Sequence, residues 1–303
     1  MQKQKIGGLC LLQVILCVFV VLIHTRPFIN YPFINSITSN GIFRIAVPLF
    51  FVMNGYFFSF DKEQFISKLK KLFVIYTFLL MLFSPLWLDL SSPYGIMKTL
   101  TYNIVIGWHH LWYLSSLIVA SVIIYIMRNK TGLLLIISTL LFILSYFIQN
   151  SYLLLDGDIF EKLNSKLYLY RNALTFAVPF MLIGIYIRKN EDLKVSLPLL
   201  AISIVALLTE VIIFALAETK DNMARDLYVT LMFTAPVLFI FFKNMALSFE
   251  EKVSGRVYFY HPICEMMFKF AGYTGGLVIS TATLAFAFTF AIVIEKMKEK
   301  NMF

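Results

Sequence analysis

Ten stretches of this chain are apolar almost throughout, and each is close to the length that crosses a lipid bilayer: 6–24, 41–60, 70–89, 111–127, 131–149, 171–188, 197–217, 227–243, 256–270 and 275–294. The hydrocarbon core takes about 20 residues of α-helix. Every backbone N–H and C=O must find a partner there, which a helix achieves within its own segment. The recurring runs therefore predict an all-α polytopic membrane protein with about ten transmembrane helices. The run at 256–270 is the weakest, being short and polar at its start. Composition agrees, with 60% hydrophobic and 14% charged residues. Soluble chains carry about 45–50% and about 25%.

Lys and Arg number 26 against 17 Asp and Glu, a net charge of +9. In a soluble protein such an excess points to nucleic acid. Here no basic block with interleaved aromatics stands out, and nucleic acid is not expected as a partner. With both termini cytoplasmic, Lys and Arg favour the inner loops about two to one, the bias of an N-in/C-in chain with an even number of spans. The start, MQKQKIGGLCLLQVILCVFVVLIH, has the order of a signal peptide. No small-residue cleavage site follows, so it reads as an uncleaved first span in a cell (plasma) membrane protein. Cys10, Cys17 and Cys264 lie in apolar runs and indicate neither a disulfide framework nor a metal site. Cys10, Cys17 and His24 share a helix face, but at 1.5 Å per residue Cys10 and His24 are about 21 Å apart. The longest polar connections are 90–110 and 150–170. No linker or short repeat divides the chain, which reads as a single integral-membrane domain over 1–303.

Ionisable groups in a bilayer cost several kcal/mol unless paired or hydrated. With this orientation His24 ends the first span at the outer side, Arg44 opens the second, His109 and His110 precede the fourth, Arg171 opens the sixth, and Glu210 lies in the outer part of the seventh. Five spans thus place polar groups at a similar depth, as a site requires. Each has a plainer reading. Arg44 and Arg171 can snorkel to headgroups. One of the two histidines, with Trp108, Trp112 and Tyr113, can belong to an aromatic belt. Glu210, in wholly apolar surroundings, is expected to neutralise one of the arginines. Near the cytoplasmic end of the second span, Lys68, Lys70 and Lys71 satisfy the positive-inside rule, and they also suit a phosphate ligand.

Several segments resemble the membrane acyltransferase 3 family. They are VVLIHTRPF followed by FRIAVPLFFVMNGYFFS, then HHLWYLSSL, then RNALTFAVPFMLIGIYI, then YFYHPICEMM. Their order and spacing cover nearly the whole chain. The resemblance implies an integral-membrane O-acyltransferase with a ten-span core. It would take acyl groups, commonly acetyl, from cytoplasmic acyl-CoA to hydroxyls of cell-envelope sugars or lipid-linked glycans. It implies that His24 is the essential base, that Arg44 is the arginine of the second motif, and that Lys68 and Lys71 are the basic pair that meets CoA. Two departures stand out: Gln13 occupies a position that is often basic, and Asn54-Gly55 replaces Ser-Gly.

On that basis His24, Arg44 and Glu210 are the candidate catalytic residues. His109, His110, Trp112, Arg171 and Asn54 are candidate substrate contacts, and Lys68 and Lys71 are candidate contacts for acetyl-CoA, the donor substrate. No metal is expected. Imidazole titrates near neutrality and suits general base catalysis, while Arg44 can steady an oxyanion. Gly55 serves helix packing or a passage for the pantetheine arm. His261-Pro262 reads as structural, near the cytoplasmic end of its span. Membrane lipid and a carbohydrate acceptor are the expected partners. The alternatives are a secondary transporter or a non-catalytic sensor module for a small solute.

Overall fold

A computed structural model of the chain describes residues 2–154, 158–217, 225–250 and 253–299. It is all-helical, at 80% helix. Among the described residues the helices are α1 (Gln2–Thr25), α2 (Pro32–Thr38), α3 (Ala46–Tyr56), α4 (Lys62–Leu82), α5 (Ser84–Trp87), α6 (Pro93–Val105), α7 (Trp112–Ile126), α8 (Thr131–Leu154), α9 (Asp158–Asn164), α10 (Val178–Lys189), α11 (Leu197–Ala217), α12 (Leu231–Asn244), α13 (Ser254–Phe270) and α14 (Leu277–Glu299).

Among the described residues six stretches are long and apolar enough to cross a membrane: Gly7–Thr25, Pro32–Tyr56, His109–Ile126, Arg128–Ser151, Leu197–Ala217 and Leu277–Glu299. They overlap six of the ten expected runs. The other four are helical but interrupted, or, at 256–270, short and polar. In the run at 70–89, α4 begins upstream at Lys62, carries the lysines in its first half and stops at Leu82. The run at 171–188 opens with a π-helical turn, Ala173–Ala177, before α10. The run at 227–243 opens with a non-helical stretch and a turn before a helix of 14 residues. Helix α13 has 17 residues and includes Arg256, His261, Glu265 and Lys269. The connection at 90–110 is no mere loop, since it holds α6, whose N-cap Ser92 accepts from Gly95 N at 3.0 Å. In the connection at 150–170, residues 155–157 lie outside the described residues.

The chain divides into two compact units, Met1–Phe50 with Asp192–Phe303, and Phe51–Glu191. In the first, α1 packs on α12, α13, α14 and the turn Ile42–Ile45. Its core joins Cys17 and Val21 to Val257, Ala287 and Ala291. Small residues set the spacing, because a Cβ on Gly7 would lie 2.0 Å from Leu247 O and one on Gly8 would lie 2.0 Å from Phe242 O. The end of α1 is pinned where Gly276, at φ +117, donates its N–H to Thr25 O and Arg26 O, each at 3.1 Å.

In the second unit, α4 packs on α7, and α8 packs on α9 and α10. Phe51, Trp112, Phe142, Phe176 and Phe180 form a continuous aromatic core, with successive ring centroids 5.6–6.5 Å apart. Gly55 and Gly184 let α3 and α10 touch. A Cβ on either would come within 2.0 Å of a carbonyl on the facing helix, Met181 O or Val52 O. Gly55 therefore has the packing role expected of a small residue at a helix crossing.

Candidate functional site

The three candidate catalytic residues all fall in the first unit. His24 stands in the last turn of α1, half-buried. Beyond it Arg26 adopts φ 45, donates its N–H to Leu22 O at 3.1 Å and is followed by Pro27, so the helix stops there. Arg44 lies in the 3-10 turn that packs on α1. Its Nε donates to Ser39 O at 2.9 Å and Nη2 to Asn40 Oδ1 at 3.2 Å, while Nη1 pairs with Asp226 Oδ1 at 2.5 Å. Arg44 is thus a buried, rigidly held cation and does not snorkel.

Glu210 does not supply the countercharge expected of it. Its carboxylate accepts from Val229 N and Thr230 N, each at 2.9 Å, and from the Thr230 hydroxyl at 2.5 Å. It therefore satisfies amides that open α12 and would otherwise be orphaned in an apolar setting. The countercharge is Asp226, which sequence reasoning missed. Asp226 sits in a strap without regular secondary structure, Arg225–Tyr228, whose four side chains are all buried. Arg225 stacks on Phe214 with Cζ 4.1 Å from the ring centroid, and Tyr228 Oη donates to Asn40 O at 2.6 Å. A signal was present in the sequence, since an Arg-Asp pair directly before an apolar run is costly unless each charge is matched.

His261 also lies elsewhere than expected. Its ring centroid is 5.5 Å from that of His24, so it is at the depth of His24 and not at the far end of a span. The reason is that α13 begins only seven residues earlier and packs along α1. The His261 Nδ1–H donates to Val257 O at 3.1 Å. One turn further along α13, a Glu265 carboxylate oxygen lies within 4.8 Å of a His24 ring nitrogen. Glu265 was also missed.

The candidate substrate contacts all fall in the second unit, and most of them join one network. Arg171 Cζ lies 5.9 Å from the Trp112 ring centroid, a cation–π arrangement. Trp112 packs on Phe51 and Phe176 and is buried, which places it in the core and not in an interfacial belt. Phe51 also packs on Tyr113, whose hydroxyl accepts from Asn54 Nδ2 at 2.9 Å. His110 is 2% exposed and meets Phe83 edge-on at 5.5 Å. His109 has φ 49, a left-handed backbone unusual for a residue other than glycine. The turn is tight, because a Cβ on Gly107 would lie 2.5 Å from Trp112 N.

Lys68 and Lys71 share one face of α4 and line an open recess of about 460 Å³ with Glu63, Gln64 and Ser67. Lys68 also lines a small, partly open pocket of about 20 Å³ beside Phe58, Leu72 and Ser121. Among the described residues its ammonium has no hydrogen-bond or ion-pair partner. Burial holds its pKa below the usual lysine value. A cation opening on a recess suits an anionic group.

A family described as an acyltransferase domain, the acyltransferase 3 family, matches residues 6–296, and the chain belongs to it. The chain is 28% identical to an amino-acid racemase of Enterococcus faecalis over 302 residues, covering 86% of this chain and 41% of that protein. It is 26% identical to a serine/alanine racemase of Enterococcus gallinarum over 303 residues, covering 85% and 40%. The chain thus spans about two-fifths of the length of these relatives. No solved structure matches it.

Proposed function

We propose that the chain is an integral-membrane O-acyltransferase. In this reading it moves an acyl group, acetyl by family frequency, from cytoplasmic acyl-CoA to a hydroxyl of a cell-envelope sugar or glycan. It resides in the plasma membrane with both termini inside, and the other four helical runs complete a ten-span core. The observation that carries the reading is the family match along nearly the whole chain, with His24 ending the first long apolar helix.

Lys68 and Lys71 hold the phosphates of the donor. His24 takes the proton of the acceptor hydroxyl, whose oxygen attacks the thioester carbonyl. The C–O bond forms and the C–S bond breaks, and the departing thiolate takes the proton from His24. Arg44, with its charge already offset by Asp226, orients the reacting groups and need not carry a new charge. Glu210 acts through the strap it anchors. His109, His110, Trp112, Arg171 and Asn54 recognise substrate.

The test is to incubate the full chain in nanodiscs with labelled acetyl-CoA and a cell-envelope glycan extract, beside His24→Ala. Label in a glycan fraction, absent with the variant, supports the reading. Wild-type turnover by His24→Ala removes His24 from the mechanism.

A second reading is favoured by the names of the relatives, both of them racemases that this chain covers only in part. A membrane module joined to amino-acid chemistry can bind or move an amino acid. Serine or alanine uptake into liposomes without CoA would decide for it.

A further inference from the structure

Glu265 is a carboxylate in the middle of α13 that is only 2% exposed. Charged groups are rarely so buried unless paired. One partner is Lys269, one turn on, with Nζ 2.6 Å from Oε1 and a side chain 41% exposed. A further neighbour is His24 on α1, with a ring nitrogen within 4.8 Å of the carboxylate. His261 lies against the same imidazole, at 5.5 Å between centroids. Its own Nδ1–H is spent on Val257 O.

The geometry points to Glu265 as the residue that positions His24 and holds the charge of its imidazolium during acyl transfer. This rests on the reading of His24 as the base. The imidazolium exists only between two proton transfers, from the acceptor hydroxyl to His24 and from His24 to the departing thiolate. A fixed carboxylate beside the ring favours that intermediate state and selects the ring nitrogen that faces the hydroxyl, as a carboxylate does for the histidine of a hydrolase triad. At this separation a rotation of either side chain makes direct contact, or one water bridges the pair. Lys269, with a side chain 41% exposed, pairs with the carboxylate through Oε1. Glu265 need not touch substrate, so it is a positioning residue.

The experiment compares the full chain in nanodiscs with Glu265→Gln and Glu265→Asp. The neutral amide should lower kcat by about 10²-fold or more and leave the KM for acyl-CoA unchanged, and aspartate should restore most of the loss. In histidine-labelled protein the ¹⁵N signals of the His24 ring should move with Glu265→Gln. Wild-type kcat in the amide variant, or a loss confined to KM, would overturn the assignment. Should the wild type transfer no acyl group, the acyltransferase reading fails by itself. The ¹⁵N signals then still decide whether Glu265 holds the ring, and unmoved signals overturn this proposal. Should Glu265→Gln fail to fold, Glu265→Asp carries the test, with retained kcat expected and a drop to the level of His24→Ala overturning it.

Discussion

Asp226 Oδ1 and Arg44 Nη1 meet at 2.5 Å, although 182 positions separate them, and both side chains are buried. Removing one member of such a pair strands the other charge, at a cost of about 3–5 kcal/mol. Asp226→Ala should therefore lower the thermal unfolding midpoint in detergent sharply. The double variant Arg44→Met/Asp226→Leu should recover most of the stability. If activity does not return with it, Arg44 has a chemical role; if it does, Arg44 is structural only.

Glu210→Ala deprives two backbone amides and a hydroxyl of their acceptor. The expected loss is about 1–3 kcal/mol. Hydrogen exchange at Val229 and Thr230 should speed up while α14 is unaffected. Equal protection in variant and wild type would show that another group caps α12.

Gly55→Ala and Gly184→Ala each drive a Cβ to 2.0 Å from a carbonyl oxygen of the facing helix. Both should lower the unfolding midpoint. Gly132→Ala, with nothing within 4 Å of its Cβ, should be neutral or stabilise by up to about 1 kcal/mol. Equal behaviour of the three would contradict the crossing geometry.

Lys68 separates stability from binding. Its side chain is half-buried, and its pKa is held below the usual 10.5 by desolvation. The folded state therefore binds fewer protons than the unfolded one, and stability rises with pH across the window between the lowered pKa and 10.5. Below that window the half-buried ammonium is a burden. Lys68→Met should raise the unfolding midpoint near neutral pH, and its advantage should shrink as the pH approaches 10.5. The same variant should weaken acyl-CoA binding by about tenfold in titration calorimetry, as expected on losing a charge-assisted phosphate contact.

The all-helical membrane character was legible because apolar runs of bilayer length leave the backbone little choice but helix. Among the described residues six such runs overlap helical stretches long and apolar enough to cross a membrane, although the second begins at Pro32 and not at 41. His24, Lys68 and Lys71 stood out as candidates because polar groups beside long apolar runs are costly. The other four runs were harder to read. A hydropathy pattern does not show that Asn172 caps a π-helical turn, accepting from Leu174 N and Thr175 N, or that residues 225–228 stay out of the helix.

What the sequence determined by itself was the class of fold and which residues are chemically expensive. Only the tertiary structure decided their partners. Asp226, not Glu210, neutralises Arg44. Glu210 serves α12. His261 and Glu265 come to His24 from a helix more than 230 positions away. Burial cost is a local property that each residue carries with it, whereas the group that offsets it depends on which helices pack together, and the small residues at their crossings govern that.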